Sequence, residues 1–80
     1  MRGRILLYGR LAEAIDRQVD VDLPCGCSVG ELRGLLSRSH PRAADHLLRS
    51  RAVVGNAVVG DEHVATAADQ VEFLPPVSGG

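Results

Sequence analysis

The stretch VDVDLPCGCSVGELRGLLSRSHP, residues 19–41, carries a strand and a helix back to back. Val19, Asp20, Val21, Asp22 and Leu23 alternate apolar and charged without a break, which is the period of a strand with one face in a core and one in water. Pro24 ends it. Ser28-Val29-Gly30-Glu31 then sets out a capping box, in which the Ser28 hydroxyl accepts a backbone N–H three residues on and the Glu31 carboxylate accepts the Ser28 N–H. Leu32, Leu35 and Leu36 follow at helical spacing as one apolar stripe. Ser39-His40-Pro41 stops the helix, because the residue before a proline avoids the α region. The pattern predicts a helix over residues 29–38.

Upstream, residues 4–8 (RILLY) form an apolar run between Gly3 and Gly9 and read as a strand buried on both faces. Residues 10–15 (RLAEAI) suit a turn of helix. The short connection to Val19 implies that the first two strands form an antiparallel pair. Downstream, a second short helix is expected over 42–49, with Ala43, Leu47 and Leu48 turned inward. Ala52-Val53-Val54 and Val58-Val59, split by Gly55-Asn56, read as a hairpin or two short edge strands. Asp61 to Asp69 is polar or small throughout and reads as loop. Val71 to Leu74 is the last strand.

The order is β-β-α-β-β-β with one strong helix. One apolar helix stripe and one apolar sheet face pack most simply as that helix across a mixed five-stranded sheet. The first and last strands are the most apolar, so they belong in the centre. This is an α+β chain of the β-grasp, or ubiquitin-like, arrangement, with residues 1–76 as the domain and 77–80 as a flexible tail.

Eighty residues suffice for one small domain. Its 45% apolar content is that of a folded protein, and with Tyr8 and Phe73 its only aromatics the core must be built from Leu, Val, Ile and Ala. A net charge of −1 with both signs interspersed argues against a nucleic-acid binder. No stretch approaches the length of a membrane span, and the N-terminal apolar run is too short for a signal sequence, so no membrane partner and a cytoplasmic setting are expected. Cys25 and Cys27 are then reduced thiols. All nine basic residues are Arg, so the chain offers no side-chain amine.

Little in the body suggests chemistry. Cys25-Gly26-Cys27 lacks further metal ligands at a recognisable spacing, since His40, His46 and His63 are scattered. A disulfide across one residue would be strained. Cys27 is expected as an apolar staple against Leu32 beside the Ser28 cap. The rival reading is a sulfur relay, with the helix N-terminus lowering the thiol pKa. Asp20 and Asp22 share a solvated strand face. Asp61-Glu62-His63 is a polar loop with no support for a cation site. The glycines never gather into a phosphate-cradling loop. No metal and no bound cofactor are expected.

The closing stretch Val71-Glu72-Phe73-Leu74-Pro75-Pro76-Val77-Ser78-Gly79-Gly80 is different. The two prolines cannot donate backbone hydrogen bonds and hold the chain extended after the last strand. Val77 and Ser78 are small, and Gly79-Gly80 carry no side chains. Such a tail fits a narrow tunnel in which any Cβ would clash. The reacting group would be the Gly80 carboxylate, made electrophilic by adenylation and convertible by a persulfide or sulfide to a nucleophilic thiocarboxylate.

That tail, with Ile5-Leu6-Leu7-Tyr8-Gly9-Arg10-Leu11-Ala12-Glu13-Ala14 at the first strand, resembles the small subunit of molybdopterin synthase, the MoaD family within the MoaD/ThiS ubiquitin-like sulfur carriers. The resemblance runs over the whole chain in length and element order. Departures are Ala12 in place of a frequent Arg, Ala68-Asp69-Gln70 in place of Gly-Asp-Glu, an offset between Asn56 and Val64, and the two cysteines. It implies that a ubiquitin-activating-like adenylyltransferase uses ATP to adenylate Gly80 and that a sulfurtransferase leaves a thiocarboxylate there. Ser78, Gly79 and Gly80 would enter a pocket of the large synthase subunit in a heterotetramer, with Phe73, Leu74, Pro75, Pro76 and Val77 as contacts. Strand alternation allows at most one of Phe73 and Leu74 to be mainly interface. The sulfur would pass to cyclic pyranopterin monophosphate in molybdenum cofactor biosynthesis. Two other destinies share the same fold and ending: sulfur delivery for thiazole, cysteine or tRNA thiolation, and conjugation to target proteins as a ubiquitin-like modifier.

Overall fold

A computed structural model describes residues 2–22, 26–66 and 68–75, with the Arg2 side chain left aside. Strand β1 (Arg2–Leu7) is followed by helix α1 (Arg10–Ala14) and strand β2 (Gln18–Asp22). The two-residue strand β3 (Cys27–Ser28) leads into α2 (Val29–Ser39). A 3₁₀ turn at Pro41–Ala43 runs into α3 (Ala44–Arg49). Strands β4 (Arg51–Val54), β5 (Ala57–Val59), β6 (Val64–Ala65) and β7 (Gln70–Leu74) complete the chain.

The main sheet has five strands in the order β2-β1-β7-β4-β5. Only β1 and β7 run parallel, with Ile5 opposite Val71 and Leu7 opposite Phe73; the other neighbours are antiparallel. The apolar first and last strands are therefore adjacent and interior, and the arrangement is the expected β-grasp fold. Alternation assigns the faces. Ile5, Leu7, Ala52, Val54, Val71 and Phe73 are buried with Leu11, Val29, Leu32, Leu36 and Leu47 of the helices. Burial of each of the larger of these side chains, Ala52 aside, stabilises the fold by roughly 1.5–3 kcal/mol.

Helix α2 starts as its sequence dictates. The Ser28 Oγ accepts from Glu31 N at 3.1 Å, and Ser28 N donates to Glu31 Oε1 at 3.3 Å. Such a cap is worth about 1 kcal/mol. The next free N–H groups of the first turn are also taken: Val29 N donates to the His63 carbonyl at 2.8 Å and Gly30 N to the Asp61 carbonyl at 2.9 Å. The helix ends at Ser39, one residue before His40-Pro41. The Gly55-Asn56 connection is a two-residue hairpin with both residues at positive φ, 59° and 68°, as a type I′ turn demands.

Four expectations need correction. Residues 4–8 are buried on one face only, since Arg4 and Tyr8 are exposed and Leu6 is half-buried. Leu35 lies at the rim of the α2 stripe, 38% exposed, because Val29, Leu32 and Leu36 already occupy the core-facing line. Leu48 is 74% exposed, while Leu47 alone turns inward from α3. The polar stretch 61–69 is not all loop: β6 pairs with β3, Cys27 opposite Ala65 and Ser28 opposite Val64. The turn of helix expected over residues 10–15 forms as α1, between the antiparallel β1 and β2.

Candidate functional site

The last residues of β7 bring the chain to one end of the sheet. Phe73 is wholly buried and Leu74 half-buried on the opposite face, across from Arg51 of β4. Of Phe73 and Leu74, two of the five residues expected as partner contacts, Phe73 thus takes the core position that alternation reserves for one of them. Pro75 is exposed, at the point where the chain leaves the strand. Pro76, Val77, Ser78, Gly79 and Gly80 lie outside the described residues, as does Cys25.

The turn after β1 meets this exit. Gly9 precedes α1 at φ 60°, ψ −132°, a conformation that only glycine adopts easily. Its bare Cα faces the ring of Pro75. A shallow cleft of about 330 Å³ opens beside it, lined by Leu6, Leu7, Tyr8, Gly9, Ala12 and Arg17. Tyr8 stands on the open sheet face next to Glu72. Partial desolvation first, then the charge and hydrogen bond of the Glu72 carboxylate, push its phenol above the ordinary value, so it is neutral near pH 7. The Gln70 side-chain amide donates to Glu72 Oε1 at 3.3 Å. Leu6, Tyr8, Val53, Val58 and Leu74 make this face partly apolar, with Val58 66% exposed.

A second cluster was not foreseen in the sequence. Arg33 of α2, with a side chain only 11% exposed, reaches across to the end of α3. Its Nη1 donates to the carbonyls of Leu47 and Ser50, the latter at 3.0 Å, and to Ser50 Oγ at 2.8 Å. Its Nε and Nη2 donate to Asp61 Oδ1 at 3.3 and 3.1 Å. The guanidinium carbon lies 5.2 Å from the centre of the Phe73 ring. One fork thus joins α2, the α3–β4 junction, the β5–β6 connection and the last strand. Nothing in the local sequence marks Arg33 among the helix's polar residues.

Cys27 is a half-buried free thiol packed against the core, next to the Ser28 cap as a staple would be. Burial, then the charge and hydrogen bond of Glu31, raise its pKa. The lowering by the helix N-terminus that the rival sulfur-relay reading supposed is not found: the shift is upward, with the Glu31 carboxylate beside the sulfur. Among the described residues no group of His, Cys, Asp and Glu could hold a metal ion, and no helix is long and apolar enough to cross a membrane.

Residues 5–80 match the model of the ThiS family. The chain belongs to the ThiS family. A search of curated proteins finds no match. Solved structures agree on the fold of this ThiS-family chain. SAMP1 of Haloferax volcanii is 26% identical, with all of both chains covered and a TM-score of 0.77. A Pyrococcus furiosus protein described as molybdopterin converting factor, subunit 1, is 19% identical, covering 96% of this chain and 99% of its own, at a TM-score of 0.80. A chain in the complex of subunits 1 and 2 of the molybdopterin-converting factor of Helicobacter pylori is 17% identical over all of both chains, at a TM-score of 0.70. The last two likenesses concern the fold alone.

Proposed function

We propose that this ThiS-family chain is the sulfur-carrying small subunit of molybdopterin synthase, with Gly80 as its reacting residue. The observation that carries this reading is the run Pro75-Pro76-Val77-Ser78-Gly79-Gly80 set directly after a central strand, with Pro75 exposed at the sheet's end. The Gly80 carboxylate attacks the α-phosphate of ATP in the activating enzyme, and pyrophosphate leaves. Sulfide then attacks the acyl adenylate, AMP leaves, and a thiocarboxylate remains. If a persulfide attacks instead, a further thiol must cleave the resulting acyl disulfide. No residue of the described domain is required for these bond changes; the domain presents the end. Ser78 and Gly79 enter the large subunit's pocket, while Leu74, Pro75, Pro76 and Val77 meet its rim, and the sulfur passes to cyclic pyranopterin monophosphate.

The likeness to the Helicobacter pylori subunit complex supports a large-subunit partner for this chain. A second reading has its own support. SAMP1, named a small archaeal modifier protein, resembles this chain over its full length, which favours conjugation of Gly80 to amines of other proteins. Affinity capture of the intact chain from its own cells decides between them. The carrier reading expects a larger synthase subunit among the partners and no lysine adducts; lysine adducts without that subunit would favour the modifier.

A further inference from the structure

The ring of Pro75, the last described residue, lies against a glycine. A Cβ added to Gly9 would lie 3.0 Å from Pro75 Cγ and 3.7 Å from its Cβ and Cδ. Gly9 also holds φ 60°, ψ −132°, so a side chain there is strained by the backbone and tight against the proline ring. The topology makes the contact. Leu7 and Phe73 are parallel partners, and Gly9 and Pro75 each follow by the same step along the chain.

We propose that Gly9 is a positioning residue: the ring of Pro75 sits on its bare backbone, and this seat sets the direction in which residues 76–80 leave the domain. The proline ring fixes its own φ, and the seat fixes where that ring lies. The consequence for activation rests on the sulfur-carrier reading; the contact itself does not. A side chain at residue 9 would lift the ring and tilt the exit, so Gly80 would reach an activating site in the wrong place.

A matched control exists in the same chain. Gly55 has φ 59° and nothing within 4 Å of an added Cβ, so Gly55→Ala carries left-handed strain without touching the tail. The test compares wild type, Gly9→Ala, Gly55→Ala, Pro75→Ala and the double variant Gly9→Ala/Pro75→Ala, each purified from the native cells, with thermal unfolding to confirm folding. Intact mass gives the thiocarboxylate fraction, and proton NMR gives the contact between the Gly9 α-protons and the Pro75 ring. The seat predicts that contact in wild type and in Gly55→Ala. It also predicts that Gly9→Ala loads roughly tenfold less, since a misplacement of about 1 Å in a reacting group can cost ~100-fold in rate. Removing the ring should cancel the effect, so the double variant should load like Pro75→Ala alone. Gly9→Ala loading like Gly55→Ala, a double variant no better than Gly9→Ala, or a missing Gly9–Pro75 contact in wild type would each overturn the seat. A wild type that carries no thiocarboxylate overturns the carrier reading instead, and the NMR contact then judges the seat by itself.

Discussion

Arg33 shows what a single side chain can hold together. Its guanidinium supplies donors in a planar fork to Leu47, Ser50 and Asp61, an arrangement that the point charge of a lysine cannot reproduce. Arg33→Met is expected to cost about 1–3 kcal/mol, because the carbonyls and the buried Ser50 hydroxyl lose their donor. Asp61→Asn should cost less than about 1 kcal/mol, since that carboxylate is 60% exposed and well screened. Urea unfolding of both variants checks the ranking, and equal losses would mean that the ion pair, not the fork, matters. Cys27 gives a second test at this scale. Its raised pKa means that the folded chain binds the thiol proton more tightly than the unfolded chain does. The resulting contribution is therefore fully present below the unfolded thiol pKa and is lost as pH rises through the folded value. In a Cys25→Ser background, alkylation of native Cys27 should set in at higher pH than alkylation of the urea-unfolded chain. Coincident curves would contradict the burial and the Glu31 contact. Neither residue's role was legible in the sequence in the same degree: the staple position of Cys27 follows from its place before Ser28, whereas Arg33 acts through residues far along the chain.

The elements were legible where local rules are strong. The α2 cap is formed by neighbours three residues apart, and the Gly55-Asn56 turn by two residues of permissive backbone, so both could be read from a few letters. The β3–β6 pair could not, because two-residue strands have no period and their pairing joins residues 27–28 to 64–65. Side-chain direction on short helices was also ambiguous. Leu47 and Leu48 are adjacent leucines, and only the packing of α3 decides that the first is buried and the second 74% exposed. Leu47→Ala should therefore cost about 2–5 kcal/mol, as large-to-small changes in cores do. Leu48→Gln should stay within about 0.5 kcal/mol of wild type. Thermal unfolding of the two variants gives the comparison, and a large loss for Leu48→Gln would show that its exposure is filled in solution.

At the level of the whole molecule, the fold followed from element order because two apolar strands and one amphipathic helix leave few ways to pack. The tail was singled out for a different reason: proline and glycine state their backbone constraints outright. The seat on Gly9 was not, because it needs the parallel pairing of the first and last strands to bring residues 9 and 75 together. On the proposed reading the domain holds the end of the chain and the chemistry is carried at Gly80. Intact-mass measurement of the chain purified from its own cells tests this most directly, in wild type and with Gly80 deleted. The account predicts a wild-type fraction heavier by the difference between sulfur and oxygen, absent after the deletion, with thermal stability unchanged. Wild-type protein found only as the plain acid or joined to lysines of other proteins would contradict it.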